Sequence, residues 1–101
     1  MAVITLQLNP VYQAASEPAD PGWSVVREAQ RQVADKLDGV AVVPAGDLPL
    51  SDGIHTSPAG NMLLGERMAR AALGEVYGRP VNHLAPSVTG AKRIFDGKTI
   101  E

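Results

Sequence analysis

Residues 40–43 read VAVV, a short apolar run between Gly39 and Pro44 that predicts a buried β-strand. The fifteen residues before the run predict a helix over 23–37, because apolar side chains recur there at steps of three and four. The stripe of this helix comprises Trp23, Val26, Gln30, Val33 and Leu37, of which only Gln30 is polar. Gly39 lies where the residue that ends a helix commonly adopts a left-handed conformation.

Outward from this unit, residues 3–8 (VITLQL) are apolar and β-branched, and Asn9-Pro10 stops them, which predicts a second buried strand. On the other side, Ser57-Pro58 is a typical N-cap and first helical residue. A helix is expected from there to about Tyr77, with Gly78 and Pro80 as its stop. Within it, Gly65 is expected to allow close approach to a strand, and Glu66 and Arg70 to form an exposed pair.

The order strand, helix, strand, helix implies parallel strands in a layered α/β sheet. Two strands are too few for such a sheet, so we expect either a homodimer or a fragment of a longer domain. Residues 92–101 support the fragment, because KRIFDGKTIE resembles a hairpin with an Asp-Gly turn and a truncated second strand. We therefore divide the chain into a domain segment, 1–80, and a linker with the start of a β segment, 81–101.

Composition excludes several classes of protein. The chain has 101 residues, 45% of them hydrophobic, and a formal net charge of −2, so it lacks the basic surface typical of nucleic-acid binding. Its apolar runs are shorter than the roughly 18–20 residues that cross a bilayer, and its N-terminus lacks the features of a signal peptide. It has no Cys, hence no disulfide or thiolate metal site. We expect no nucleic-acid or membrane partner.

The loop SDGIHTS, residues 51–57, places Asp52 three residues before His55 in a turn that contains Gly53. A carboxylate on one ring nitrogen makes imidazole an effective general base at the other nitrogen. The loop follows a predicted parallel strand, and ligands of open α/β sheets bind beyond such strand ends. Taken alone, the spacing is also consistent with an Asp-stabilised turn beside a surface His. Ser57 is better explained as a helix cap than as a nucleophile.

The wider context decides between these interpretations. Residues 42–73 together with WSVVREAQRQVA (23–34) and VYGRP (76–80) resemble the C-terminal part of an SGNH-type (GDSL-like) hydrolase, in the carbohydrate acetylesterase branch that includes sialate O-acetylesterases. The last motif of that family, Asp-x-x-His followed by a helix with Gly-x-Arg, is matched by Asp52, His55, Gly65 and Arg67. The resemblance covers about residues 3–86. It implies a partial three-layer α/β/α, flavodoxin-like fold.

The resemblance also implies the chemistry, namely hydrolysis of O-acetyl esters on carbohydrates through a serine acetyl-enzyme. His55 would be the catalytic general base and Asp52 the catalytic residue that orients it; no cofactor is implied. The nucleophilic Ser of the family lies in a Gly-x-Ser setting near the N-terminus of its domain, and no serine of this chain sits after a strand in such a Gly-flanked turn. The serines present are Ser16, Ser24, Ser51, Ser57 and Ser87. We expect a missing N-terminal hydrolase segment to supply the nucleophile and oxyanion donors, so the chain alone is expected to be nearly inactive. Asn9 is assigned to a turn rather than to the oxyanion hole.

Other polar residues receive simpler assignments. His83 is expected to be a surface or linker residue, and a metal site built from it with Asp52 and His55 is disfavoured because three or four convincing ligands are missing. Asp47 is expected to hydrogen-bond within its loop rather than to line a substrate cleft. Trp23 is expected to pack in the core rather than to stack on sugar. Arg67 and Arg70 are expected to form a solvated helix face; of the two, only Arg67 is also matched, with Gly65, through the resemblance.

Two functional classes therefore remain. The first is the acid–base segment of a carbohydrate O-acetylesterase, whose family resemblance favours a secreted or periplasmic setting. The second is a non-catalytic α/β interaction module derived from such a hydrolase, which would cover its sheet edge by dimerising. The sequence does not identify the acetylated sugar.

Overall fold

A computed structural model of the chain describes residues 1–12 and 21–92, which form a small α/β protein with two parallel strands and two helices. The elements are β1 (Val3–Leu6), α1 (Gly22–Lys36), β2 (Val40–Val43) and α2 (Pro58–Ala71), and α2 continues into one π-helical turn (Ala72–Val76). The predicted order of elements is confirmed. Among the described residues, no helix is long and apolar enough to cross a membrane.

The two strands pair in parallel, with Val3 opposite Val40 and Leu6 opposite Val43. β2 has the predicted bounds, whereas β1 ends two residues earlier than the predicted 3–8. The last ladder bond runs from the Gln7 N–H to the Val43 carbonyl at 2.9 Å. Strand pairing ends with Leu6 opposite Val43, and β2 is followed by the loop that begins at Pro44.

The α1 helix differs by one residue at each end from the predicted 23–37, and its apolar stripe is only partly covered. Val26 and Leu37 are 45% and 56% exposed, because a two-stranded sheet is too narrow to cover the whole stripe. Gln30, the polar residue in the stripe, has a specific role: its Oε1 accepts the Leu8 N–H at 2.8 Å and its Nε2 donates to the Leu6 carbonyl at 3.2 Å. Gln30 thus bonds backbone groups at and just after the end of β1, on the edge of the strand that faces away from β2.

The α2 helix begins as predicted, because the Ser57 hydroxyl accepts the Gly60 N–H at 3.1 Å and Pro58 follows as the first helical residue. The expectation for Gly65 is wrong: Gly65 is exposed and a Cβ there would meet nothing within 4 Å. The close approach occurs at Gly60 instead. A Cβ on Gly60 would lie 2.6 Å from the Thr56 methyl carbon and 2.9 Å from the Pro49 carbonyl oxygen.

The core lies where both helices contact β2. Its buried apolar residues are Val43, Ala45, Leu48 and Ala71. A second, outward face of α2 and its π-helical turn remains exposed and is also apolar. This outward face comprises Met62, Leu63, Leu73, Val76 and Tyr77, which are 40–78% exposed.

Gly39 has a φ of +77° in the turn between α1 and β2, as its predicted left-handed conformation requires. Residues 81–92 contain no helix or strand, and His83 to Ala85 line a cavity of about 400 Å³ with Val43 and Pro44. The predicted hairpin at 92–101 lies, beyond residue 92, outside the described residues, as does Ser16.

Candidate active site

The loop that carries the Asp-x-x-His motif is closed by short-range hydrogen bonds. Leu50 and Thr56 form an isolated antiparallel bridge, and the Ser51 N–H donates to the His55 carbonyl at 2.8 Å. The Ser57 N–H donates to the Pro49 carbonyl at 2.9 Å, which places the loop directly before the first turn of α2. The motif is therefore located between the end of β2 and the start of α2, where the sequence predicts it.

Both carboxylate oxygens of Asp52 are engaged within this loop. Oδ1 accepts the N–H groups of Ile54 at 2.8 Å and His55 at 2.7 Å, and Oδ2 lies 2.6 Å from Nδ1 of the His55 ring. These bonds favour the charged carboxylate, and the two backbone N–H groups contribute most. The pKa of Asp52 is consequently lowered from 3.8 to about 2. Asp52 is thus ionised at neutral pH and remains a hydrogen-bond acceptor for the ring.

The contact with Asp52 determines which nitrogen of the His55 ring carries the proton. An ionised carboxylate can only accept, so Nδ1 of neutral His55 must be the donor and Nε2 the unprotonated nitrogen. Among the described residues, none forms a hydrogen bond with Nε2, and the side chain is 70% exposed. An oriented imidazole with a free, unprotonated Nε2 can accept a proton from a hydroxyl group that approaches from solvent or from another segment.

A second set of contacts reaches this loop from the end of β1. The Asn9 side chain donates from Nδ2 to the Ile54 carbonyl at 2.6 Å, and the Tyr12 N–H donates to the Gly53 carbonyl at 2.9 Å. Trp23, which is half-buried, donates its indole N–H to the Asn9 carbonyl at 2.6 Å. Asn9 is therefore more than a strand-ending turn. Nothing local in the sequence could have indicated a contact between residues 45 positions apart.

Arg67 of α2 binds the loop segment that precedes the Asp-x-x-His motif, and its assignment to a solvated helix face is wrong. Its guanidinium forms two bonds with Asp47, at 2.7 and 2.6 Å, and a third with the Pro44 carbonyl at 3.1 Å. The paired charges lower the pKa of Asp47 and raise that of Arg67. Asp47 therefore forms hydrogen bonds with a side chain of α2 and not only within its own loop. It also lines the cavity at the end of β2. Arg70 pairs with Glu66 at 3.0 Å and is half-exposed, as expected.

His83 is not a surface residue: its side chain is only 18% exposed and packs against Gly74, where a Cβ would collide with the ring. Nδ1 lies 2.9 Å from the Val81 carbonyl, and Nε2 lies 3.0 Å from a Glu75 carboxylate oxygen. Both partners are acceptors, the Val81 carbonyl having the larger influence, so the pKa of His83 is raised. No cluster of three His, Cys, Asp or Glu within the described ranges could hold a metal.

Three of the four described serines form hydrogen bonds away from the His55 ring, and the fourth, Ser87, is exposed with no hydrogen bond to another described residue. Ser57 caps α2, Ser24 donates to the Pro21 carbonyl at 3.1 Å, and Ser51 donates to the His55 carbonyl at 3.3 Å. None of the hydrogen bonds within residues 1–12 and 21–92 joins a serine hydroxyl to Nε2 of His55. The structure thus brings Asp52 and His55 together without a serine partner.

Comparison with known proteins assigns no family to this chain. No protein-family model matches the chain, and neither a curated protein nor a solved structure matches it significantly.

Proposed function

We propose that the chain carries the acid–base half of a serine esterase that removes O-acetyl groups from carbohydrates. The observation that carries the proposal is the 2.6 Å contact between Asp52 Oδ2 and His55 Nδ1, which leaves Nε2 unprotonated and open to a hydroxyl. In the reaction, Nε2 takes the proton of a nucleophilic serine and later returns it to the sugar hydroxyl that leaves. The restriction to acetylated sugars, such as sialates, comes from the family resemblance alone.

The position of the loop supports the same proposal. The pair lies beyond the carboxyl end of β2, the usual location of ligand sites in open α/β sheets. In the three-layer hydrolase fold that we propose, further parallel strands would extend the sheet beyond β1. A serine at the end of one of these strands would complete the triad.

The proposal is tested with two forms of the protein: the 101-residue chain and the whole reading frame that encodes it. Hydrolysis of p-nitrophenyl acetate and of an O-acetylated sialic acid is measured for wild type, His55→Ala and His83→Ala. For the chain alone, we expect no turnover above that of His55→Ala. For the reading frame, we expect His55→Ala to lower kcat/KM by at least about 10³-fold and His83→Ala to leave it within about threefold.

The possible results separate the parts of the proposal. Turnover that survives His55→Ala would refute the role of His55. Turnover by the chain alone that His55→Ala abolishes would support the esterase and refute the expectation that the nucleophile lies in another segment. A reading frame that ends with these residues and shows no turnover would leave the interaction module as the better explanation.

The interaction module is a second candidate, because the described sheet leaves one edge of β1 open and α2 has an exposed apolar outward face. Such a module would dimerise to cover both surfaces. Light scattering after size exclusion distinguishes it: a homogeneous dimer supports the module, whereas aggregation supports an esterase segment that requires further strands.

A further inference from the structure

We infer that Asn9 is a positioning residue that holds the Asp52–His55 pair in its reactive geometry from the end of β1. The geometric part of this inference stands on the hydrogen bonds alone, and its meaning for catalysis rests on the proposed function. Asn9 touches neither side chain of the pair. It acts through the Ile54 carbonyl, to which its Nδ2 donates at 2.6 Å.

The hydrogen bonds of the loop backbone explain why this contact matters. Asp52 itself accepts the N–H groups of Ile54 and His55, so the carboxylate fixes one side of these peptides. The carbonyls on the other side are fixed from outside the loop: the carbonyl of Gly53 by the Tyr12 N–H, and that of Ile54 by Asn9. Without Asn9, only Asp52 would orient the peptide group between Ile54 and His55. The carboxylate could then rotate with the peptide and away from the ring.

Asn9 is in turn held at both ends. Its backbone carbonyl accepts the indole N–H of Trp23 at 2.6 Å, so the start of α1 fixes the peptide from which the side chain extends. Within the Asn9 side chain only the amide NH₂ can donate to this carbonyl, since the amide oxygen only accepts. Aspartate has the same shape but no donor at neutral pH, which makes Asn9→Asp the most selective substitution.

The test is nuclear magnetic resonance on the 101-residue chain, and it does not require enzymatic activity. Long-range ¹H–¹⁵N correlation identifies the tautomer of His55, and saturation transfer measures the solvent exchange of its Nδ1 proton. For wild type, we expect the Nδ1-protonated tautomer. Asn9→Asp is expected to accelerate exchange of this proton at least about tenfold and to mix the tautomers. Trp23→Phe, which keeps an aromatic ring but removes the indole N–H together with part of the ring system, is expected to produce the same change to a smaller extent.

Asn61→Asp is the matched control, because it makes the same change at an exposed position of α2 and is expected to leave the His55 ring unaltered. An Asn9→Asp chain that folds and retains the wild-type tautomer and exchange rate would overturn the inference. If Asn9→Asp does not fold, Trp23→Phe decides in the same way. A wild-type ring with the Nε2-protonated tautomer would instead contradict the proposed function, so the two failures are distinguishable.

Discussion

His55 and His83 each lie beside a carboxylate, but their surroundings differ in every other respect. His55 is 70% exposed, and only its Nδ1 has a partner among the described residues, Asp52. His83 is 18% exposed, and both of its ring nitrogens face acceptors, the Val81 carbonyl and Glu75. Two acceptors raise the pKa of the His83 ring and so favour its protonated form, and they leave no ring nitrogen free for proton transfer. A ring with one acceptor retains a free basic nitrogen, which is what general-base catalysis requires.

The largest change in stability that we expect comes from adding a methyl group at Gly74, against which the His83 ring packs. Gly74→Ala puts a methyl group where the His83 ring lies, so the ring or the helix must move. We expect a loss of about 2 kcal/mol in the free energy of unfolding, measured in urea. Gly65→Ala is the matched control on the same helix, where nothing lies within 4 Å, and should increase stability by about 1 kcal/mol. Equal effects at the two positions would show that His83 does not pack against α2.

Removing each ring sharpens the same comparison. His83→Ala deletes a largely buried side chain with two hydrogen bonds, and we expect a fall of about 5 °C or more in Tm by circular dichroism. His55→Ala removes an exposed ring, while Asp52 keeps its two backbone bonds, so we expect Tm to change by less than about 3 °C. A larger loss for His55→Ala than for His83→Ala would contradict the assignment of roles.

The two Arg–carboxylate pairs of α2 provide a further comparison. Arg67 binds Asp47 through two bonds and is about one-third exposed, whereas Arg70 binds Glu66 on the open helix surface. Double-mutant cycles with Asn or Gln for the acids and Lys for the arginines should give coupling of about 1 kcal/mol for the first pair. The second pair should give about 0.3–0.5 kcal/mol. Equal coupling free energies would mean that the two-bond geometry of Arg67 does not strengthen its interaction with Asp47.

The pH dependence of stability should differ in sign for the two sites. The pKa of His83 is raised in the folded chain, so its contribution is complete below the ordinary value of 6.5 and is lost as pH rises through the folded-state value. The pKa of Asp52 is lowered, so its contribution is present above 3.8 and is lost as pH falls through about 2. Urea unfolding from pH 2 to 9 should show that the stability advantage of wild type decreases over His83→Ala at alkaline pH and over Asp52→Asn at acid pH.

Local patterns predicted the elements of the fold because each depends on neighbouring residues. The Ser57-Pro58 start of α2, the left-handed Gly39 and the run at 40–43 were all recognisable from adjacent positions. The length of β1 was not, because it depends on where the partner strand β2 ends. The uncovered part of the α1 stripe depends on the width of the sheet, which periodicity does not specify.

The candidate site divides in the same way. The Asp52–His55 contact was predictable because the two residues are three positions apart in a turn. The support from Asn9 and the bonds between Asp47 and Arg67 join residues 45 and 20 positions apart, and each of these side chains has an ordinary local explanation. His83 was assigned to the surface or to a linker; it does lie in the segment without helix or strand, but its low exposure was not predictable because nothing near it in the sequence indicates that Gly74 leaves room for its ring.

The contact between Asn9 and Ile54 also has a consequence for the order of folding. It closes a loop of 45 residues, whereas the contact between Asp52 and His55 closes a loop of three. Chain entropy makes the longer closure costlier by about 2 kcal/mol, since the cost grows with the logarithm of loop length. We therefore expect the acid–base pair to form early and transiently and to become fixed only when β1 docks against β2. Competence for proton transfer would thus be acquired late in folding.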